Sequence, residues 1–209
     1  MPKVSQEHMD GRRRQILDAA NHCFARVGFH HATMQDVIRE SGLSAGAIYN
    51  HFASKEDIII AIADARHRAE AEVCRDVEDL PDPHAAIVHM GQAFFWHVSD
   101  PGQDEERRVG VQLWAEALNN KRLLDVSQEG LVEPYRVLAK LVDALKKDGE
   151  IPAAIETDAM VRVMIALFQG FVLQKCREPE LDVSGFVRAA LFLWEGMRGA
   201  SRASTAPRS

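Results

Sequence analysis

Residues 33–55, TMQDVIRESGLSAGAIYNHFASK, decide how this chain folds. Thr33 stands where a helix N-cap belongs, with Asp36 three residues on as its reciprocal partner. A short helix over 34–41 is expected to stop at Gly42, the residue type that accepts a left-handed helix end. Ser44 then caps a second short helix reaching about His51, and Ser54 with Asp57 caps a third. Two short capped helices joined by a tight glycine turn make a helix-turn-helix pattern. Val37, Ile38, Leu43, Ile48 and Phe52 fall on its inner side. Ala45, Gly46, Tyr49 and Asn50 then fall on the outer side of the second helix, one turn apart in pairs.

That outer face has the chemistry a major groove requires. Small residues let a backbone approach, and one or two longer groups reach. Asn pairs bidentately with adenine, and an alanine methyl meets a thymine methyl. Ala45, Gly46 and Asn50 are therefore the expected base-edge contacts, on a helix opened by Ser44 and running through Ala47. Hydroxyls, imidazoles and ammonium groups suit phosphates, which makes Thr33, Tyr49, His51 and Lys55 the expected backbone contacts.

Upstream, an apolar face of Ile16, Leu17, Ala20, Cys23, Phe24 and Val27 predicts a helix over 11–27, with Gly28 as its C-cap. The run Arg12–Arg14 reads first as a solvated face, with backbone contacts to DNA as a second use. Downstream, helices are expected to about 77 and over 83–99, 104–119, 123–147, 157–177 and 182–198. Pro83, Pro101-Gly102, Asp148-Gly149 and Pro179 punctuate them. The expected fold is thus all-α with about nine helices. A three-helix helix-turn-helix head at 1–56 precedes a larger regulatory and dimerisation domain at 57–199, and 200–209 is expected to be a disordered tail.

Charge is divided unevenly. The net charge is −6, yet residues 1–55 hold seven Lys and Arg against five Asp and Glu, leaving −8 on the remainder. A mildly basic head on an acidic body fits a chain that offers DNA one end only. Three widely spaced cysteines without metal-ligand spacing read as reduced thiols in a cytoplasmic protein. No stretch reaches the roughly 20 apolar residues of a membrane span, so no membrane partner is expected. No nucleophile elbow, phosphate loop, HExxH or paired-carboxylate motif is present. Neither an enzyme nor a cofactor-binding protein is expected; a helical adaptor without DNA binding is the main alternative reading.

Residues 12–60 resemble the TetR-type repressors. The resemblance rests on FARVGF closing the first helix, then TMQDVIRESGLSAGAIYNHF, then SKEDI. It implies that 33–52 is the DNA-binding segment and that Tyr49 and Lys55 contact phosphates. Many members carry Thr or Ser where Ala47 stands and a larger polar residue where Ala45 stands, so this reading helix is small-sided.

In the body, Met90, Phe94, Leu113, Trp114, Tyr135, Met164, Phe168 and Phe171 are core residues in one reading. In the other, which the resemblance implies, they line a pocket for a small apolar or aromatic effector. Gln112, Glu116, His89 and Gln169 are the polar groups available to orient it. The last two helices are apolar on more than one face, which predicts a second copy as partner. The resemblance agrees: a homodimer through 157–177 and 182–198 on a palindromic double-stranded operator.

Overall fold

The computed structural model describes the backbone of residues 6–78 and 80–205, and the side chains of 9–78 and 80–196. Among the described residues there are nine α-helices and no strand. They are α1 (Gln6–His31), α2 (Met34–Ser41), α3 (Ala45–Tyr49), α4 (Lys55–Glu78), α5 (Pro83–Ser99), α6 (Asp104–Ala117), α7 (Lys121–Lys147), α8 (Thr157–Arg177) and α9 (Val183–Thr205). A short 3-10 turn, Pro101–Gln103, precedes α6.

Two compact units emerge from packing. The first comprises Met1–His67 and Asp104–Glu129; the second comprises Arg68–Gln103 and Gly130–Ser209. This grouping differs from a division at 56/57. The reason lies on α6, whose Val109, Leu113 and Ala117 are buried in one cluster with Ile16, Phe24, Val37, Ile48 and Ile58. Recurrence at every fourth position puts these three on one stripe of the helix, and that stripe faces the head.

Local signals place the head helices. Thr33 accepts from Asp36 N–H while Asp36 accepts from Thr33 N–H, a complete capping box. Gly42 ends α2 at φ 67°. Ser44 accepts from Ala47 N–H and opens α3. At the start of α4 the Ser54 hydroxyl accepts from Asp57 N–H and donates to the Asp57 carboxylate. Each cap contributes about 1 kcal/mol. Phe24, fully buried, meets Phe29 edge to face at 5.0 Å and 90°.

The second unit is built around Ile87, Met90, Val137, Leu141, Val142, Met160 and Val161. Beside them the rings of Phe95, Phe171 and Phe186 touch in sequence, with centroids 4.5–5.3 Å apart. All three cysteines are free thiols, and burial pushes Cys74 up to about 12.

Three boundaries and one expectation about hydropathy fare differently in the structure. α1 starts at Gln6, because nothing in 6–10 breaks a helix. α3 stops at Tyr49, and Asn50 and His51 continue as turns bonded to Gly46 and Ile48 carbonyls. α9 runs on to Thr205, where an unstructured tail was expected from 200. Ala200, Ser201, Arg202 and Ala203 hold no helix breaker, and the first proline is Pro207. The rest of that expected tail, 206–209, lies outside the described residues. Finally, α8 is long and apolar enough by length and composition to cross a membrane, contrary to the expectation that no segment is. Its charges cluster at its ends, which leaves an uncharged middle from Val163 to Gln174, polar only at its two glutamines, Gln169 and Gln174.

Candidate nucleic-acid interface

The outer face of α3 is open. Ser44, Ala45, Gly46 and Asn50 are exposed, Ala47 and His51 are half-buried, and Tyr49 is 52% exposed. Beneath them Ile48 and Phe52 are buried and hold the helix to α1 and α2. Gly46 has open space where a Cβ would stand, so its backbone presents an unobstructed surface. Every residue on this face is short except Tyr49, Asn50 and His51.

Two expected phosphate contacts have other work in this structure. The Thr33 hydroxyl donates to the Asp36 carboxylate at 2.6 Å and accepts from Asp36 N–H. Donation to its carboxylate from the Thr33 hydroxyl first, then from Thr33 N–H and Arg39, holds Asp36 below the usual carboxylate range and keeps it ionised. Lys55 sends its ammonium into the protein, donating to the Phe29 carbonyl and to the Ala32 carbonyl at 2.9 Å. An ammonium has three donors, so one remains for a further acceptor. Both residues therefore position the helix-turn-helix. Sequence spacing could not reveal the Lys55 role, because Phe29 and Ala32 lie 26 and 23 residues upstream.

The arginine run is divided in use. Arg13 lies over the Phe52 ring, 5.2 Å from its centroid, and fastens α1 to the end of the helix-turn-helix. Arg12 donates to Gln15, and Gln15 in turn donates to the Ser41 carbonyl at 2.8 Å. Arg12 and Arg14 are exposed.

The residues expected around an effector are distributed as follows. Met90, Phe94, Tyr135, Met164, Phe168 and Phe171 belong to the second unit. Phe94 and Phe168 are in ring contact at 5.4 Å and are both half-buried, while Phe171 is fully buried against Phe95 and Phe186. The Tyr135 hydroxyl donates to the Asp158 carboxylate, which also receives Arg162. Leu113 and Trp114 are on α6 in the first unit, with Leu113 in the head core. Gln112 and Glu116 are likewise engaged with α1. The Gln112 amide bonds Phe29 N–H and the Phe24 carbonyl, and Glu116 lies 3.4 Å from His30.

A buried scaffold that presents a short, capped, small-sided second helix defines a helix-turn-helix protein of the DNA-binding kind. Residues 16–62 match the family described as bacterial regulatory proteins, tetR family, and residues 83–191 match the BetI-type transcriptional repressor, C-terminal family. The chain belongs to the TetR family of helix-turn-helix transcriptional regulators. It is 46% identical to the uncharacterized HTH-type transcriptional regulator YfiR of Bacillus subtilis, over 90% of this chain and 93% of that protein. It is 48% identical to the HTH-type transcriptional repressor Rv1474c of Mycobacterium tuberculosis over 63 residues, a match spanning 30% of this chain and only 34% of that protein. Its fold matches the transcriptional regulator FadR of Bacillus subtilis, solved in complex with stearoyl-CoA. The TM-score is 0.72 at 19% identity, over 87% of this chain and 96% of that one.

Proposed function

We propose that the chain is a repressor that binds a palindromic operator as a homodimer and is released by a small apolar or aromatic molecule. The exposed outer face of α3 carries this reading: Ala45, Gly46 and Asn50 meet base edges, while Ser44, Ala47, Tyr49 and His51 lie at or beside the phosphates. Thr33 and Lys55 hold that face in place and have limited capacity left for phosphate. On this reading residues 1–56 serve DNA, residues 57–199 serve the effector and the partner subunit, and the protein works in the cytoplasm.

A second copy is supported by apolar surface that a lone chain leaves in water. Val163, Leu167 and Leu173 on α8 are 62%, 40% and 48% exposed, and Phe192 and Leu193 on α9 are 75% and 62% exposed. Five large apolar groups left in water on two consecutive helices are surface that a partner would cover. A dimer would present two α3 helices to half-sites about 34 Å apart or a multiple of that. The half-buried pair Phe94 and Phe168, with Met90 and Met164 in the same unit, supports an apolar effector. That FadR holds stearoyl-CoA on this fold supports the same class. Such a ligand must favour one state of the dimer by a few kcal/mol to control it.

The test is a gel shift on the DNA upstream of the chain's own coding region, at fixed salt because affinity depends on it. The expected complex holds two chains per duplex, and Tyr49→Ala weakens it. A folded dimer that shifts no such fragment contradicts the reading.

A further inference from the structure

The helix α1 is interrupted. At Gly28 the backbone takes φ 79° and ψ 162°, and a separate turn follows, closed by Ala32 N–H on the Gly28 carbonyl. Such an interruption leaves carbonyls behind it and N–H groups ahead of it without helical partners. One side chain serves both. Gln112 accepts from Phe29 N–H through Oε1 and donates to the Phe24 carbonyl through Nε2, each at 3.0 Å. A primary amide offers a donor and an acceptor side by side on one rigid plane, which suits it to both. Phe24 and Phe29 are buried, so no water substitutes cheaply.

The far side of the same turn is held by Lys55, which bonds the Phe29 and Ala32 carbonyls. The residue after Ala32 is Thr33, the cap of α2. An unbroken line therefore runs from α6 through Gln112 to Phe29, then to Lys55 and to the opening residue of the helix-turn-helix. Arg66 adds a tie between α4 and α6. Its guanidinium donates to the Glu106 carbonyl and occupies the space where a side chain at Gly110 would stand.

We propose that Gln112 is a positioning residue for operator recognition: its amide transfers the placement of α6 to the turn at 29–32 and thereby sets where α3 is held. This rests on the DNA-binding reading above. A displacement of α6 must either carry the turn with it or break both amide bonds. A residue that merely glued two helices together would instead support the fold as a whole and treat all DNA alike.

The experiment compares the full chain with Gln112→Leu and Gln112→Glu on two duplexes of equal length, the upstream fragment and a random sequence, at one salt concentration. Gln112→Leu is expected to weaken binding to the upstream fragment by about tenfold while leaving the random duplex within about twofold. Gln112→Glu keeps the acceptor for Phe29 N–H but sets a carboxylate oxygen against the Phe24 carbonyl, and is expected to lose selectivity in the same direction. If Gln112→Leu does not fold, Gln112→Glu carries the same comparison. Equal losses on both duplexes, or no loss on either, overturn the proposal. A wild-type chain without preference for the upstream fragment contradicts the DNA-binding reading instead. Amide exchange without DNA then decides Gln112 separately. Faster exchange over 45–49 in the variant, with Ile16 and Phe24 unchanged, supports the positioning role, and unchanged exchange over 45–49 overturns it.

Discussion

Gly28 occupies a backbone region that is essentially reserved for glycine, since φ 79° with ψ 162° sets any Cβ against its own chain. Space is not the obstacle, because the nearest atom to an ideal Cβ is Gln112 Oε1 at 3.5 Å. Gly28→Ala is therefore expected to cost about 1–3 kcal/mol through strain alone. Urea denaturation of the two proteins measures it, and an alanine variant as stable as the wild type would place the reversal elsewhere. The glycine itself was legible in the sequence as a helix end. Its partners were not. Gln112 reads from spacing as one polar residue on a core helix, available to orient an effector. Its carbonyl and N–H partners lie 88 and 83 residues away, beyond any local signal. The same holds for Lys55, whose resemblance-based role as a phosphate contact meets two backbone carbonyls already on its ammonium.

Elements were legible where capping and punctuation are local. The ranges of α2 and α5 follow directly from Thr33 and Gly42 and from Asp82 with Pro83, and the end of α8 from Pro179. Contacts between elements were not, and α6 shows why: an apolar stripe does not say which neighbour covers it. A second example is the end of α4. Glu78 lies in its last turn, where a carboxylate opposes the helix dipole. It is held by two cations of α7, Arg136 through paired bonds at 2.6 and 2.8 Å and Lys140 at 3.0 Å. The Arg136 guanidinium first, and Lys140 second, bring the Glu78 carboxyl down to about 2 from an ordinary 4.5. A carboxyl depressed in the folded state stabilises fully above its unfolded pKa, and that contribution is lost as pH falls through the folded value. Glu78→Gln is accordingly expected to be less stable than the wild type at pH 7. The gap should narrow below about pH 4.5 and close towards pH 2, as followed by urea midpoints. A gap that widens on acidification would contradict the assignment.

At the scale of the whole molecule, the all-helical architecture and the reading head were legible because both rest on a dense local pattern, residues 33–55. The body was legible only as a set of helices. Aromatic and methionine residues that could have lined a ligand site are divided between the two packing units, and periodicity cannot distinguish a ring that packs on another ring from one that faces a ligand. The exposed faces of α8 and α9 were anticipated as apolar on more than one side, and Val163, Phe192 and Leu193 are the clearest cases. The central claim is that DNA meets this molecule on the outer face of α3. Amide hydrogen exchange of the full chain, with and without the upstream duplex, tests it most directly. The expected result is added protection over 33–51, centred on Ala45 to Asn50, with α5 unchanged. A complex that forms while 33–51 exchanges as it does in the free protein contradicts the claim.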